Sequence, residues 1–241
     1  MAFLQKAMLP FLPQIIKHPF NQGLYTGMLP APVFRSYLDQ DALYLRDFAM
    51  ALMLISTRFT SSWEANFFKF LSEEIIDTEY HLHKKYLREF KNPHVKKSPV
   101  VSAYAQHLLY HAKNAPLEEA VASIAPCFWI YAELGKHMAC HPNNPYYAWL
   151  HSYVNHQFIS AGQGVFKVAE TLNNKNACPI KKNNQVLAFT GSIKYELLFW
   201  DSVFTSRCPT PHPPLSQRTG LKNICTNWSC MRAPFTVRCK L

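Results

Sequence analysis

A chain of 241 residues has room for one large domain or two small ones. Hydrophobic residues make up 49% and charged residues 17%, which excludes a chain disordered throughout, and no apolar run reaches the roughly 18 uncharged residues that cross a bilayer. The net charge of +10 invites a nucleic-acid reading, but residues 206–241 supply +6 of it and hold no acid; the body keeps +4 on scattered lysines, the pattern of a solvated surface with no nucleic-acid partner.

Seven glycines in the whole chain favour helices over hairpins. Residues 1–17 read as a short amphipathic helix broken near Pro10 and Pro13. They lack the basic start and clean apolar stretch of a signal peptide, so the expected location is cytoplasmic. His18 to Pro32, with Pro19, Gly23, Gly27 and Pro30, reads as a connection. From Val33 to about Phe59, apolar residues recur at three- and four-residue steps, which predicts a long helix. Ser61-Ser62 offers a cap for a second, to about Phe90. Ser98-Pro99 starts a third, to about Lys113. The fourth spans about Leu117 to Cys140, with Pro126 inside it. The fifth covers about Tyr146–Asn173 and the last about Asn184–Phe204. Six to eight helices with short connections predict an all-α bundle in one domain, residues 1–205.

After Thr205 the helical period stops. Residues 206–241 hold five prolines and four cysteines, and the expectation there is an irregular tail. With seven cysteines and no secretory signal, free thiols are expected in place of a disulfide framework. The tail cysteines do not have zinc-site spacing.

Polar residues that interrupt apolar stripes carry the functional signal. Asp41 lies in the row Phe34, Tyr37/Leu38, Tyr44/Leu45, Phe48. A carboxylate there needs a partner, a ligand or a wet pocket. Glu196, in KYELLFW, stands in the row Phe189, Ile193, Trp200, where apolar neighbours raise its pKa and favour a proton donor. Cys127 follows Pro126 in the row Ile124, Tyr131, Leu134; spacing alone favours a small buried hydrophobe. Tyr104 and Tyr153 sit on apolar rows of the third and fifth helices. Facing one cavity, two carboxyls, a thiol and several phenols suit a flat, polar aromatic ligand. Glu79/His83 and His107/His111 share helix faces, but no Glu-x-x-His occurs, so solvated histidines are expected and no metal.

The segments HPFNQGLYTGMLPAPVFRSYLDQDALYLRDFA (18–49), APCFWIYAELGK (125–136) and YELLFWD (195–201) together resemble the TenA family of thiaminase II enzymes, in the family's order. The resemblance runs from about residue 12 to 204. It implies a haem-oxygenase-like helical fold without haem, commonly a homotetramer. It implies hydrolysis of 4-amino-5-aminomethyl-2-methylpyrimidine, or of thiamine, to the 5-hydroxymethyl pyrimidine in thiamine salvage, with no cofactor. By motif, it makes Cys127 the nucleophile and Glu196 the acid on the pyrimidine nitrogen. Asp41 becomes the partner of the exocyclic amine, Tyr44 and Tyr131 site rings, and Tyr104 and Tyr153 supports of the glutamate and thiol. The alternative is a non-catalytic aminopyrimidine-binding or regulatory protein of the same fold. DSVFTSRCPT departs from the family's usual final helix, which runs on past FWD.

Overall fold

The computed structural model describes residues 3–86, 95–137, 142–174 and 178–205, and the side chains of these except 78–86. The expectation placed on Glu79 and His83 falls on side chains that are not described, and those placed on Cys140, the end of the second helix and the tail at 206–241 lie outside the described residues. What is described is α-helical, with no strand. In chain order the helices are α1 (Phe3–Met8), α2 (Leu12–Ile16), α3 (Pro19–Thr26), α4 (Ala31–Ser56), α5 (Ser62–Tyr86), α6 (Pro99–Asn114), α7 (Leu117–His137), α8 (Tyr147–Ser152), α9 (His156–Asn174) and α10 (Pro179–Thr205). A 3-10 turn, Leu9–Phe11, joins α1 to α2 at the expected prolines.

Local sequence explains most boundaries. Ser98 caps α6 by accepting the Val101 N–H at 3.2 Å, and Pro99 follows at the first helical position. The apolar row of α4 is buried from Val33 to Ile55. α7 continues through Pro126 to His137.

Two expectations about the helices need correction. The segment His18–Pro32 contains a helix, α3, because its proline and glycine are end signals. His18 caps it, its Nδ1 accepting the Phe20 N–H at 3.2 Å. Pro19 fills the first position, and Gly27, at φ +75°, closes the last turn in the left-handed region. The expected helix Tyr146–Asn173 is two helices. Asn155 starts the second, its Oδ1 accepting the Phe158 N–H at 2.8 Å, and Tyr153 sits at the break, not within a helix.

α10 is the central element, packed on α1, α3, α4, α6 and α7, while α4 packs on α5 and α6, and α7 on α9. A helix touched on that many sides must be apolar nearly all round, which is why Glu196 is costly there. Polar seams tie the helices together. His107 on α6 reaches Ser192 Oγ (3.1 Å) and the Ala188 carbonyl (3.3 Å) on α10. The Ser192 hydroxyl donates to the Ser123 carbonyl on α7 at 2.6 Å, so it accepts from His107, whose proton is on Nε2. Burial first, then His111, lowers the His107 pKa to about 3. His107 is therefore a neutral strut and not the solvated histidine expected.

Arg58, just beyond α4, donates to the carbonyls of His111 (3.2 Å), Ala112 (2.7 Å) and Ala115 (2.5 Å). It closes the end of α6, where carbonyls lack helical partners and a cation is favoured. Arg58→Ala leaves those carbonyls to water. The expected loss is about 1–3 kcal/mol, read as a melting temperature lower by several degrees in calorimetry.

Candidate active site

A cavity of about 430 Å³ opens between α4, α5, α7 and the α8–α9 break, a size suited to a small organic ligand. One wall is polar and aromatic: Tyr37, Asp41 and Tyr44 from α4, Cys127 and Tyr131 from α7, and Tyr153. The other is mostly apolar, with Phe67, Phe70 and Leu71 from α5 beside Glu74, and ends in Asn155, His156 and Ser160. The α9 backbone comes so close to Phe67 that a Cβ on Gly164 would lie 2.5 Å from the ring's Cζ.

The helical period sets the polar wall. Tyr37, Asp41 and Tyr44 are four and three residues apart, and Cys127 and Tyr131 are four apart, so each set shares a face. Asp41 is buried at 8% exposure. Cys127 is a free thiol, partly accessible through the cavity although deep in the fold. Burial raises its pKa well above the usual thiol value, and Glu196 and Asp41 add to the rise. The neighbouring Tyr44 hydroxyl opposes it. That hydroxyl is buried without a well-formed hydrogen bond, in position beside both the thiol and Tyr104.

Two of the seven residues singled out by sequence, Glu196 and Tyr104, are not part of the cavity lining. Glu196 is 1% exposed. Its Oε1 accepts from the Tyr104 hydroxyl at 3.1 Å, and its Oε2 from Tyr131 at 3.3 Å. Tyr104 in turn stacks on Tyr44, with centroids 4.7 Å apart. The carboxyl thus lies behind the wall and reaches it through Tyr131. Burial raises its pKa to about 8, with Asp41 adding to the rise and the two phenols offsetting part of it. At neutral pH Glu196 holds a proton. Tyr104 and Tyr131 are likewise raised well above the ordinary phenol value, mainly by burial, and remain donors.

Two further residues that the sequence did not single out as functional belong to the site. Tyr37 hydrogen-bonds Tyr131, oxygen to oxygen, at 2.9 Å. Trp149 lines the cavity and stands edge-on to Tyr37, Tyr131 and Tyr153. A tyrosine on an apolar stripe gives no sign of where its hydroxyl ends, so only the register of α4 against α7 could have shown this. His18 has a second role as well: its Nε2 donates to Asp201 Oδ1 at 3.2 Å, joining the start of α3 to the last turn of α10.

Among the described residues, no three His, Cys, Asp or Glu side chains are grouped to hold a metal. Nor is any helix of those residues long and apolar enough to cross a membrane.

The chain is similar to known proteins in both sequence and fold. The model of the TENA/THI-4/PQQC family matches residues 5–206. An uncharacterized protein of Haemophilus influenzae is 30% identical over 206 residues, covering 79% of this chain and 92% of its own. The aminopyrimidine aminohydrolase of Bacillus subtilis is 26% identical over 199 residues, 78% of this chain and 82% of its own. Among solved structures, a TenA homologue from P. horikoshii OT3 superposes with a TM-score of 0.75 at 24% identity. That alignment covers 84% of this chain and 96% of the other.

Proposed function

The chain belongs to the TENA/THI-4/PQQC family, and from that premise we propose that it is an aminopyrimidine aminohydrolase, converting 4-amino-5-aminomethyl-2-methylpyrimidine, and thiamine as a second substrate, to the 5-hydroxymethyl pyrimidine. The observation that carries the reading is the meeting of a thiol, a buried carboxylate and a proton-holding acid around one aromatic-walled cavity. The similarity to relatives named for this activity supports it.

In this reading the flat ring lies among Tyr131, Tyr153 and Trp149. Asp41 accepts from the exocyclic amine. A pyrimidine carbon is a poor electrophile until a ring nitrogen is protonated, and Glu196 is the group that holds a proton at neutral pH. Because the carboxyl lies behind the wall, its proton travels through Tyr131: Glu196 gives a proton to the Tyr131 oxygen as Tyr131 gives its own to the ring. Cys127 then adds to the ring carbon. The raised thiol pKa means that its deprotonation accompanies ligand binding, with the Tyr44 hydroxyl placed to stabilise the thiolate. The bond from the exocyclic methylene to the amine breaks, and the amine leaves as ammonia with the proton that the thiol gave up; water adds to the methylene and returns a proton to the sulfur as the thiol is expelled, and the ring returns its own proton along the same path. No step uses a metal or organic cofactor. Residues 1–205 form the catalytic unit, a boundary that the end of the family match at residue 206 supports, and we place the protein in the cytoplasm as a homotetramer.

The deciding measurement is release of the hydroxymethylpyrimidine from each substrate by the purified full chain. Turnover of the aminomethylpyrimidine establishes the reading. Ligand binding without turnover favours a binding or regulatory protein instead.

A further inference from the structure

Four hydroxyl and carboxyl groups form one continuous chain through the core, from Tyr37 on α4 to Tyr131 on α7, Glu196 on α10 and Tyr104 on α6. Each link constrains the next. A phenol has one proton. When Glu196 is ionised, Tyr131 uses its proton on Oε2. The 2.9 Å contact between Tyr131 and Tyr37 then has one possible donor, Tyr37. We infer that Tyr37 is a positioning residue: by donating to the Tyr131 oxygen it holds the Tyr131 hydroxyl on Glu196 and sets how readily that carboxyl releases its proton.

The direction of the effect follows from the chain. A phenol that accepts a hydrogen bond is a stronger donor, because successive bonds polarise one another. The bond from Tyr131 to an ionised carboxylate is charge-assisted and gains more than its neutral counterpart. Tyr37 therefore favours ionised Glu196. The groups that face Glu196 are Tyr104 from α6, Tyr131 and Cys127 from α7, and Asp41 and Tyr44 from α4. None is a cation, so hydroxyl donors provide the stabilisation of the charge. Tyr37 also packs as a ring, against Phe20, Trp149 and Phe199. Tyr37→Phe keeps that packing and removes only the hydroxyl.

The proposal deepens the aminohydrolase reading by assigning a residue that tunes its acid, and its test needs no substrate. Full-length protein labelled with carbon-13 at the glutamate carboxyl is titrated by NMR, and the Glu196 signal is assigned by its loss in Glu196→Gln. Tyr37→Phe is expected to raise the Glu196 midpoint by at least about half a pH unit. Tyr131→Phe is expected to raise it further, and adding Tyr37→Phe to Tyr131→Phe is expected to change nothing more. An unshifted midpoint in a folded Tyr37→Phe protein overturns the proposal, as does an equal shift with and without Tyr131. If Tyr131→Phe does not fold, the Tyr37→Phe midpoint decides alone. An inactive wild type would sink the aminohydrolase reading while leaving this titration interpretable.

Discussion

Replacing Cys127 by serine is expected to lower turnover of the aminomethylpyrimidine by about a thousandfold or more, since the proposed covalent step loses its nucleophile. Binding should survive, because Asp41, Tyr131 and Trp149 are untouched. Calorimetric titration of Cys127→Ser with the ligand separates the two effects, and loss of binding together with turnover would point to a packing role for the thiol. The same chemistry makes a prediction about the resting protein. Burial and two nearby carboxyls keep Cys127 a thiol, and a thiol is a poor nucleophile toward alkylating agents. Iodoacetamide at pH 7.5 is therefore expected to label Cys127 more slowly than a free cysteine in solution. Peptide mapping by mass spectrometry reads this at that one site. Labelling at the rate of free cysteine would contradict a suppressed thiolate.

Glu196→Gln is expected to be nearly inactive and yet more stable than the parent at alkaline pH. General-acid catalysis typically contributes about 10²–10⁴-fold, and the amide cannot supply the proton. The stability effect follows from linkage. The folded pKa, about 8, lies above the ordinary 4.5, so the fold favours the neutral form. That stability is fully present below the unfolded pKa. It declines as pH rises between the two values and is gone above the folded one. The 1%-exposed carboxyl thus costs the fold on the order of 3 kcal/mol between pH 5 and 8. Glutamine carries no such penalty and mimics the neutral acid. The melting temperature of Glu196→Gln should exceed the parent's by several degrees at pH 8 and by much less at pH 5. A constant difference across that range would show that Glu196 does not titrate there.

Much of this arrangement was legible in the sequence, for a definite reason. An acid in an apolar row is conspicuous, and Asp41 and Glu196 each stand in one. The end signals of α6 were equally plain. The misreadings also have causes. Pro19 and Gly27 bracket a helix of eight residues, and reading them as loop punctuation hid α3. The break at Tyr153 was hidden because apolar residues continue across it; only the cap on Phe158 from Asn155 marks it. Tyr37 was unreadable for a different reason. Its ring satisfies the periodicity, while its role depends on a hydroxyl meeting Tyr131, 94 residues away. Periodicity assigns a residue to a face, and only packing decides which two hydroxyls meet.

The width of the cavity depends on an atom that is absent. Phe67 occupies the space that a Cβ at Gly164 would fill, so the apolar wall stands as far back as the α9 backbone allows. One methyl group at that position, as in Gly164→Ala, would push the ring out of its seat without touching the thiol, the carboxyls or the phenols. Ligand size and chemistry are thus governed from opposite sides of the cavity. A lineage could narrow or widen its choice of ligand by drift at a single glycine, leaving the polar wall as it is.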